Sequence, residues 1–260
     1  MACTSIPHKE GVVDLIVDSK SPYVDGTIGG EKRRFLFDSG ANQAFIKKLP
    51  AVIKESDLQS GPWQITAQGW SDDKKIFNAF FRLGDLVFPS VRTLYSTNHK
   101  FEAIPMTMLF SDHLIVDFKA NKIIMGQKAD FCQATEKFKM NYDAILMDVK
   151  IGDSSTQVVW DTGAQASFFH RPWLDEKNFT SYYRSDIETV LPDARVKQSA
   201  AFYKTTIVIG GQKLPFDFLG MKLDDSFLGL GSDLKGILGF DFIKNKRWYF
   251  DMNNKLFCFE

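Results

Sequence analysis

Phe35-Leu36-Phe37-Asp38-Ser39-Gly40-Ala41 sets one acidic residue at the abrupt end of an apolar run, and Val158-Val159-Trp160-Asp161-Thr162-Gly163-Ala164 repeats the pattern. The two copies stand 123 positions apart, and Gly29 and Gly152, each nine residues upstream of its Asp, keep that spacing. Three large apolar residues in a row suit a strand buried on both faces. The hydroxyl residue and glycine that follow permit a tight turn whose backbone N–H groups point at the carboxylate. Each copy therefore predicts an Asp held rigidly at a strand mouth. A lone Asp-Ser-Gly is as readily a surface turn. With ordinary residue usage the four-residue pattern arises by chance in roughly one chain in a hundred of this length, so a second copy at matched spacing marks a repeated unit.

The rest of the chain agrees with a repeat. At 260 residues and 44% hydrophobic content it can bury one large core or two of about half the size. Val12 to Val17 and Val24 to Ile28 read as strands, with a Gly29-Gly30 turn delivering Asp38. Phe45 to Leu49 reads as a brief helix or turn ended by Pro50. Trp63 to Ala67 and Gln68 to Asp73 read as two short strands, and Ile76 to Leu83 turns at Gly84-Asp85 into Leu86-Val87-Phe88. The second half replays this order through Ala144 to Ile151, Gln157 to Trp160, Phe168-Phe169, Pro172-Trp173-Leu174 and the Gly210-Gly211 turn. Residues 126–141, charged and without strong period, read as a linker.

Composition excludes several classes of function. Lys+Arg and Asp+Glu are equal at 32 each, so no net field gathers nucleic acid or anionic lipid, and Lys32-Arg33-Arg34 reads as the solvated side of a hairpin. No apolar run reaches the length of a membrane span. Cys3, Cys132 and Cys258 are odd in number and far apart, which disfavours a disulfide framework or a zinc site. The histidines are scattered too, so no metal or other cofactor is expected. The expected setting is soluble and cytoplasmic, or the cell envelope if Cys3 marks a lipoprotein junction whose upstream signal was removed. Gly229-Leu230-Gly231-Ser232 fits no phosphate-loop spacing and reads as a loop entering Ile237.

The Asp-Ser/Thr-Gly-Ala motifs, followed in the second half by Ile237-Leu238-Gly239, resemble the retropepsin-like aspartic proteases, with two such units fused in one chain. The resemblance implies a mainly β, acid-protease fold: two similar small closed β-barrel-like lobes related by a pseudo-twofold axis, here residues 1–130 and 131–260. It implies an aspartic endopeptidase acting on polypeptide as a monomer, with Asp38 and Asp161 as the catalytic pair and Ser39 and Thr162 supporting them. Gly40, Ala41, Gly163 and Ala164 would line the substrate. Gly69, 31 residues after Asp38, stands where the family carries its flap tip, so Gln68, Gly69 and Trp70 are the flap candidates. The same step from Asp161 reaches Pro192-Asp193, so the second flap is expected to be stiff or absent.

Two departures qualify the resemblance. The first half offers Ala103-Ile104-Pro105 where the second has Ile237-Leu238-Gly239, so a distortion is expected there. Alanine after each Asp-Ser/Thr-Gly triplet withholds a hydroxyl donor from the carboxylates, which predicts an optimum from mildly acidic to near neutral. The competing readings are a catalytically silent bilobal peptide-binding module and a structural β-protein with its two Asp sides far apart. Keeping two adjacent carboxylates is costly without chemistry that needs them, which favours the enzyme.

Overall fold

The computed structural model describes residues 9–18, 20–60, 64–66, 69–71, 75–97, 100–190, 195–231 and 233–260, and strands dominate it. The hairpin of Pro22–Ile28 and Glu31–Asp38 begins a closed ring. From Glu31–Asp38 the ring passes to Ala103–Pro105, Ala44–Ile46, Leu86–Tyr95 and Lys75–Leu83, which pairs back onto Pro22–Ile28. A second ring runs Ala144–Ile151, Ser154–Trp160, Leu234–Leu238, Phe168–His170, Gln212–Met221, Arg195–Ile209 and back. Closure leaves neither barrel an open edge.

Every pairing keeps its direction between the two rings. Ala103–Pro105 lies parallel to the strand ending in Asp38, as Leu234–Leu238 does to the strand leading into Asp161. Leu86–Tyr95 lies parallel to Ala44–Ile46, as Gln212–Met221 does to Phe168–His170. The chain has the mainly β, two-lobed acid-protease fold.

A third layer joins the lobes. Gly11–Asp14, Lys122–Met125, His113–Asp117, Arg247–Asp251, Leu256–Phe259 and Glu136–Asn141 pair in that order as one antiparallel sheet. At its centre Ile115 faces Tyr249, and the two hairpins meeting there repeat at a spacing of 134 residues, as a pseudo-twofold axis requires. One apolar core, containing Phe37, Trp160, Trp248 and Phe250, runs from both barrels into this sheet. Trp160 lies 5.6 Å from Trp248 and 5.0 Å from Phe250, so the sheet forms the floor beneath the second Asp turn.

Several sequence expectations change at this level. Phe45 belongs to a strand, Ala44–Ile46, not a helix or turn, because the barrel supplies partners on both its sides. The 126–141 linker ends in the Glu136–Asn141 strand, which pairs with Leu256–Phe259 on one side and Ala144–Ile151 on the other. Val12 to Val17 breaks at Leu15, so that Gly11–Asp14 joins the central sheet and Ile16–Val17 joins the first barrel.

The cysteine reading changes as well. Cys132 and Cys258 form a disulfide, with Cα atoms 5.9 Å apart across 126 residues of sequence. Around it Phe131 and Ala129 cover Ile115 and Tyr249 on the outer face of the central sheet. The Arg247 guanidinium stacks over Phe131 at 4.2 Å and pairs with Asp117 at 3.0 Å.

Candidate active site

Two strands deliver the acidic residues. Phe35 and Phe37 are fully buried in the first barrel, and Trp160 is fully buried in the second. Each apolar anchor stops the chain at a fixed depth, so the next residue emerges where the lobes meet. Asp38 and Asp161 are half-buried there, while Ser39 and Thr162 are buried.

The two turns are locked together by a reciprocal set of hydrogen bonds. The Ser39 N–H donates to Thr162 Oγ1 at 3.0 Å, and the Thr162 N–H donates to Ser39 Oγ at 2.9 Å. Each hydroxyl then donates onward across the boundary, Ser39 Oγ to the Trp160 carbonyl at 2.9 Å and Thr162 Oγ1 to the Phe37 carbonyl at 2.6 Å. Buried backbone groups at a strand end need partners, and here each lobe supplies them for the other. Only a small side chain that both donates and accepts can close this circuit.

Each carboxylate is gripped by its own turn. Gly40 and Ala41 donate to Asp38 Oδ1, both at 3.0 Å, and Gly163 and Ala164 donate to Asp161 Oδ1 at 2.8 and 3.2 Å. The glycines also let the lobes approach. A Cβ on Gly40 would sit 2.6 Å from the Asp161 carboxyl, and one on Gly163 would sit 2.4 Å from the Asp38 carboxyl. Only hydrogen fits at either place.

The electrostatics follow from this proximity. Burial pushes the Asp38 carboxyl well above the ordinary aspartate range, and the neighbouring Asp161 charge pushes it further, against the pull of the Gly40 and Ala41 N–H groups. Burial raises Asp161 too, offset by the N–H groups of Gly163 and Ala164, by a hydrogen bond from Asp38 and by Gly40. Two buried carboxyls this close do not titrate independently. Among the described residues no group of three or more His, Cys, Asp or Glu side chains is arranged to hold a metal ion.

Gly69 and Trp70 lie in Gly69–Ser71, which pairs with Gln64–Thr66 as a hairpin, and Gln68 lies outside the described residues. This hairpin packs against the short helix Asp225–Leu228 of the other lobe. Where the second flap was expected to be stiff or absent, Tyr183–Val190 and Arg195–Ile209 form a hairpin paired in register from Tyr183 and Phe202 to Val190 and Arg195. Pro192 and Asp193 lie outside the described residues.

The expected distortion at Ala103-Ile104-Pro105 is not present, and the register there matches Ile237-Leu238-Gly239. In the second lobe the Gly239 N–H donates to Ser167 Oγ at 3.0 Å. In the first lobe Pro105 has no N–H, and Ala44, which stands where Ser167 does in the repeat, has no hydroxyl. Donor and acceptor are missing together.

Sequence reasoning passed over the apolar side chains beside the two turns. Ile76 and Phe101 are partly buried against the same apolar cluster as Ala41, and Ile187, Leu228 and Leu230 against the same cluster as Ala164. Only the repeat offset carried a signal, since Phe45 and Phe168 occupy corresponding places in the two clusters.

No family model matches the sequence, and no curated protein matches it. The structure is similar to a solved aspartic proteinase from Irpex lacteus, over 96% of this chain and 97% of that one, with a TM-score of 0.58 and 12% identity. At that identity the likeness carries the fold alone: the chain has the bilobal architecture of an aspartic proteinase.

Proposed function

We propose that the protein is an aspartic endopeptidase whose catalytic pair is Asp38 and Asp161. The observation carrying this reading is the mutual approach of the two carboxyls, each seated against the other turn's glycine, hydrogen-bonded together and held off their ordinary titration by burial. A silent binding module has no use for so costly a pair.

In the proposed reaction a water between the carboxyls attacks the peptide carbonyl carbon and gives its proton to Asp161. The carbonyl oxygen takes the proton from Asp38, which gives a neutral gem-diol. The C–N bond then breaks as the nitrogen takes the proton from Asp161. A gem-diol hydroxyl returns a proton to Asp38, restoring the pair. The neighbouring alanines offer the carboxyls no hydroxyl donor, which supports an optimum from mildly acidic to near neutral. Both turns reside in one chain, so the active unit is a monomer. The Cys132–Cys258 disulfide suits an oxidising compartment better than the cytoplasm.

The test is hydrolysis of an unfolded protein substrate by Asp38→Asn and Asp161→Asn. Each is expected to lose activity while keeping its fold, because acid and base are complementary roles. Turnover near wild type in either variant removes the shared-pair mechanism, and binding without cleavage by the unaltered protein points to the silent module.

A further inference from the structure

The outer face of the first barrel carries a second feature, at the end remote from the Asp turn. Lys32, Thr27, Arg82 and Val87 form one row across four strands: Thr27 is opposite Lys32 on one side and Arg82 on the other, and Arg82 is opposite Val87. The row crosses an open cleft of about 730 Å³ whose walls include Lys32, Arg34, Arg82, Gly26, Thr27 and Gly84. Lys32 lies six residues from Asp38 along one strand, which is about 20 Å at the usual rise.

The charges there are unbalanced. Asp25 is the one carboxylate in the cleft wall, and it is paired with Arg34 at 2.9 Å. Arg33 is committed to Glu31 and Glu102 at 2.8 and 2.9 Å. Lys32 and Arg82 have no ion-pair partner among the described residues, although they stand on either side of one threonine. Two unpartnered cations flanking a hydroxyl form a receptor for an anionic oxygen group such as a phosphate.

Exposed apolar residues stand on the segments next to this cleft. Among the described residues seven large hydrophobics are exposed, and four of them, Val12, Val52, Phe80 and Val87, lie on these segments. Phe80 faces outward on the same strand as Arg82, two residues before it. The Phe80 carbonyl accepts the Gly29 N–H, and Val52 lies against Gly29. On the other side, the backbone of Val12 approaches Gly84.

The geometry points to a docking surface for a bilayer containing anionic phospholipid: the headgroup phosphate sits between Lys32 and Arg82, and Phe80, Val87, Val12 and Val52 enter the headgroup boundary. Cations near such a surface are attracted within a Debye length, and exposed apolar side chains at the same level add burial that a free anion does not supply. The surface is separate from the Asp pair and stands whether or not that pair is active.

The experiment is co-sedimentation of the intact chain with vesicles of phosphatidylglycerol and phosphatidylcholine, against vesicles of phosphatidylcholine alone. Binding is expected to the first only, and to weaken as salt rises. Lys32→Glu with Arg82→Glu should lower the partition by about tenfold or more, on the order expected for removing two cations from an anionic surface. Phe80→Ser with Val87→Ser should lower it with the charges intact. All four residues are exposed, so circular dichroism and the hydrolysis rate should stay at wild-type values. Equal binding to both vesicles, no binding to either, or binding of inorganic phosphate by calorimetry without vesicle association would each overturn the proposal.

Discussion

Ser39 and Thr162 each accept the other's backbone N–H across the boundary between the lobes, and each hydroxyl donates to a carbonyl of the opposite strand. Neither turn is complete without the other lobe. The relative position of the two carboxyls is therefore fixed by buried hydrogen bonds and not by the carboxyls themselves, which repel when both are charged.

Removing either hydroxyl should show this directly. Thr162→Ala leaves the Ser39 N–H and the Phe37 carbonyl buried without partners, a cost of about 1–3 kcal/mol for each such group. Ser39→Ala does the same to Thr162 and Trp160. The double variant should cost less than the sum, because the four bonds form one circuit, and Thr162→Ser should be tolerated. Urea unfolding measures all of these. A Thr162→Ala protein as stable as wild type contradicts the circuit.

The disulfide gives a second prediction. Cys132 and Cys258 close a long span of chain, and opening it frees the unfolded state. Cys132→Ser should lower unfolding free energy by about 2–4 kcal/mol. Hydrolysis should persist below the transition, since the bond sits on the outer face of the central sheet. Identical denaturation midpoints with and without reductant count against a structural disulfide.

Some of the fold could be read in the sequence, and some could not. The Asp turns were legible because apolar run, acid, hydroxyl and glycine each obey a local rule, and the repeat multiplied the signal. Ala44–Ile46 was not legible, since three residues carry no period and only the barrel makes them a strand. The disulfide was hidden because its cysteines share no local spacing. The outer cleft was hidden because it joins residues from separate strands, so that Lys32-Arg33-Arg34 alone looks like a solvated hairpin.

Pro105 was legible as a departure but misleading as a defect, because its compensation lies at Ala44. Pro105→Gly restores an N–H that finds no hydroxyl, so it should destabilise by about 1–3 kcal/mol. Adding Ala44→Ser supplies the acceptor that Ser167 provides in the second lobe. The double variant should then recover much of the loss, a coupling that a double-mutant cycle in urea resolves. Strictly additive effects would show that the two positions are independent.

The final prediction concerns pH and uses the raised Asp38 carboxyl. An unfolded aspartate ionises near 3.9, whereas burial and the Asp161 charge let the folded protein keep the Asp38 proton to higher pH. Between those two limits the native state binds more protons than the unfolded state, so stability falls as pH rises through that window. Asparagine at 38 cannot ionise and leaves Asp161 without a charged neighbour. Asp38→Asn should therefore melt higher than wild type at neutral pH, with the difference shrinking as pH falls toward the unfolded aspartate value. Thermal unfolding of both proteins across that range measures the gap, and hydrolysis of an unfolded substrate measures what is lost in exchange. The variant should be the more stable protein and the inactive one, the usual opposition between a strained site and its fold. A gap that stays constant with pH would mean that the Asp38 carboxyl titrates alike in the folded and unfolded chain, and the shared proton would have to be abandoned.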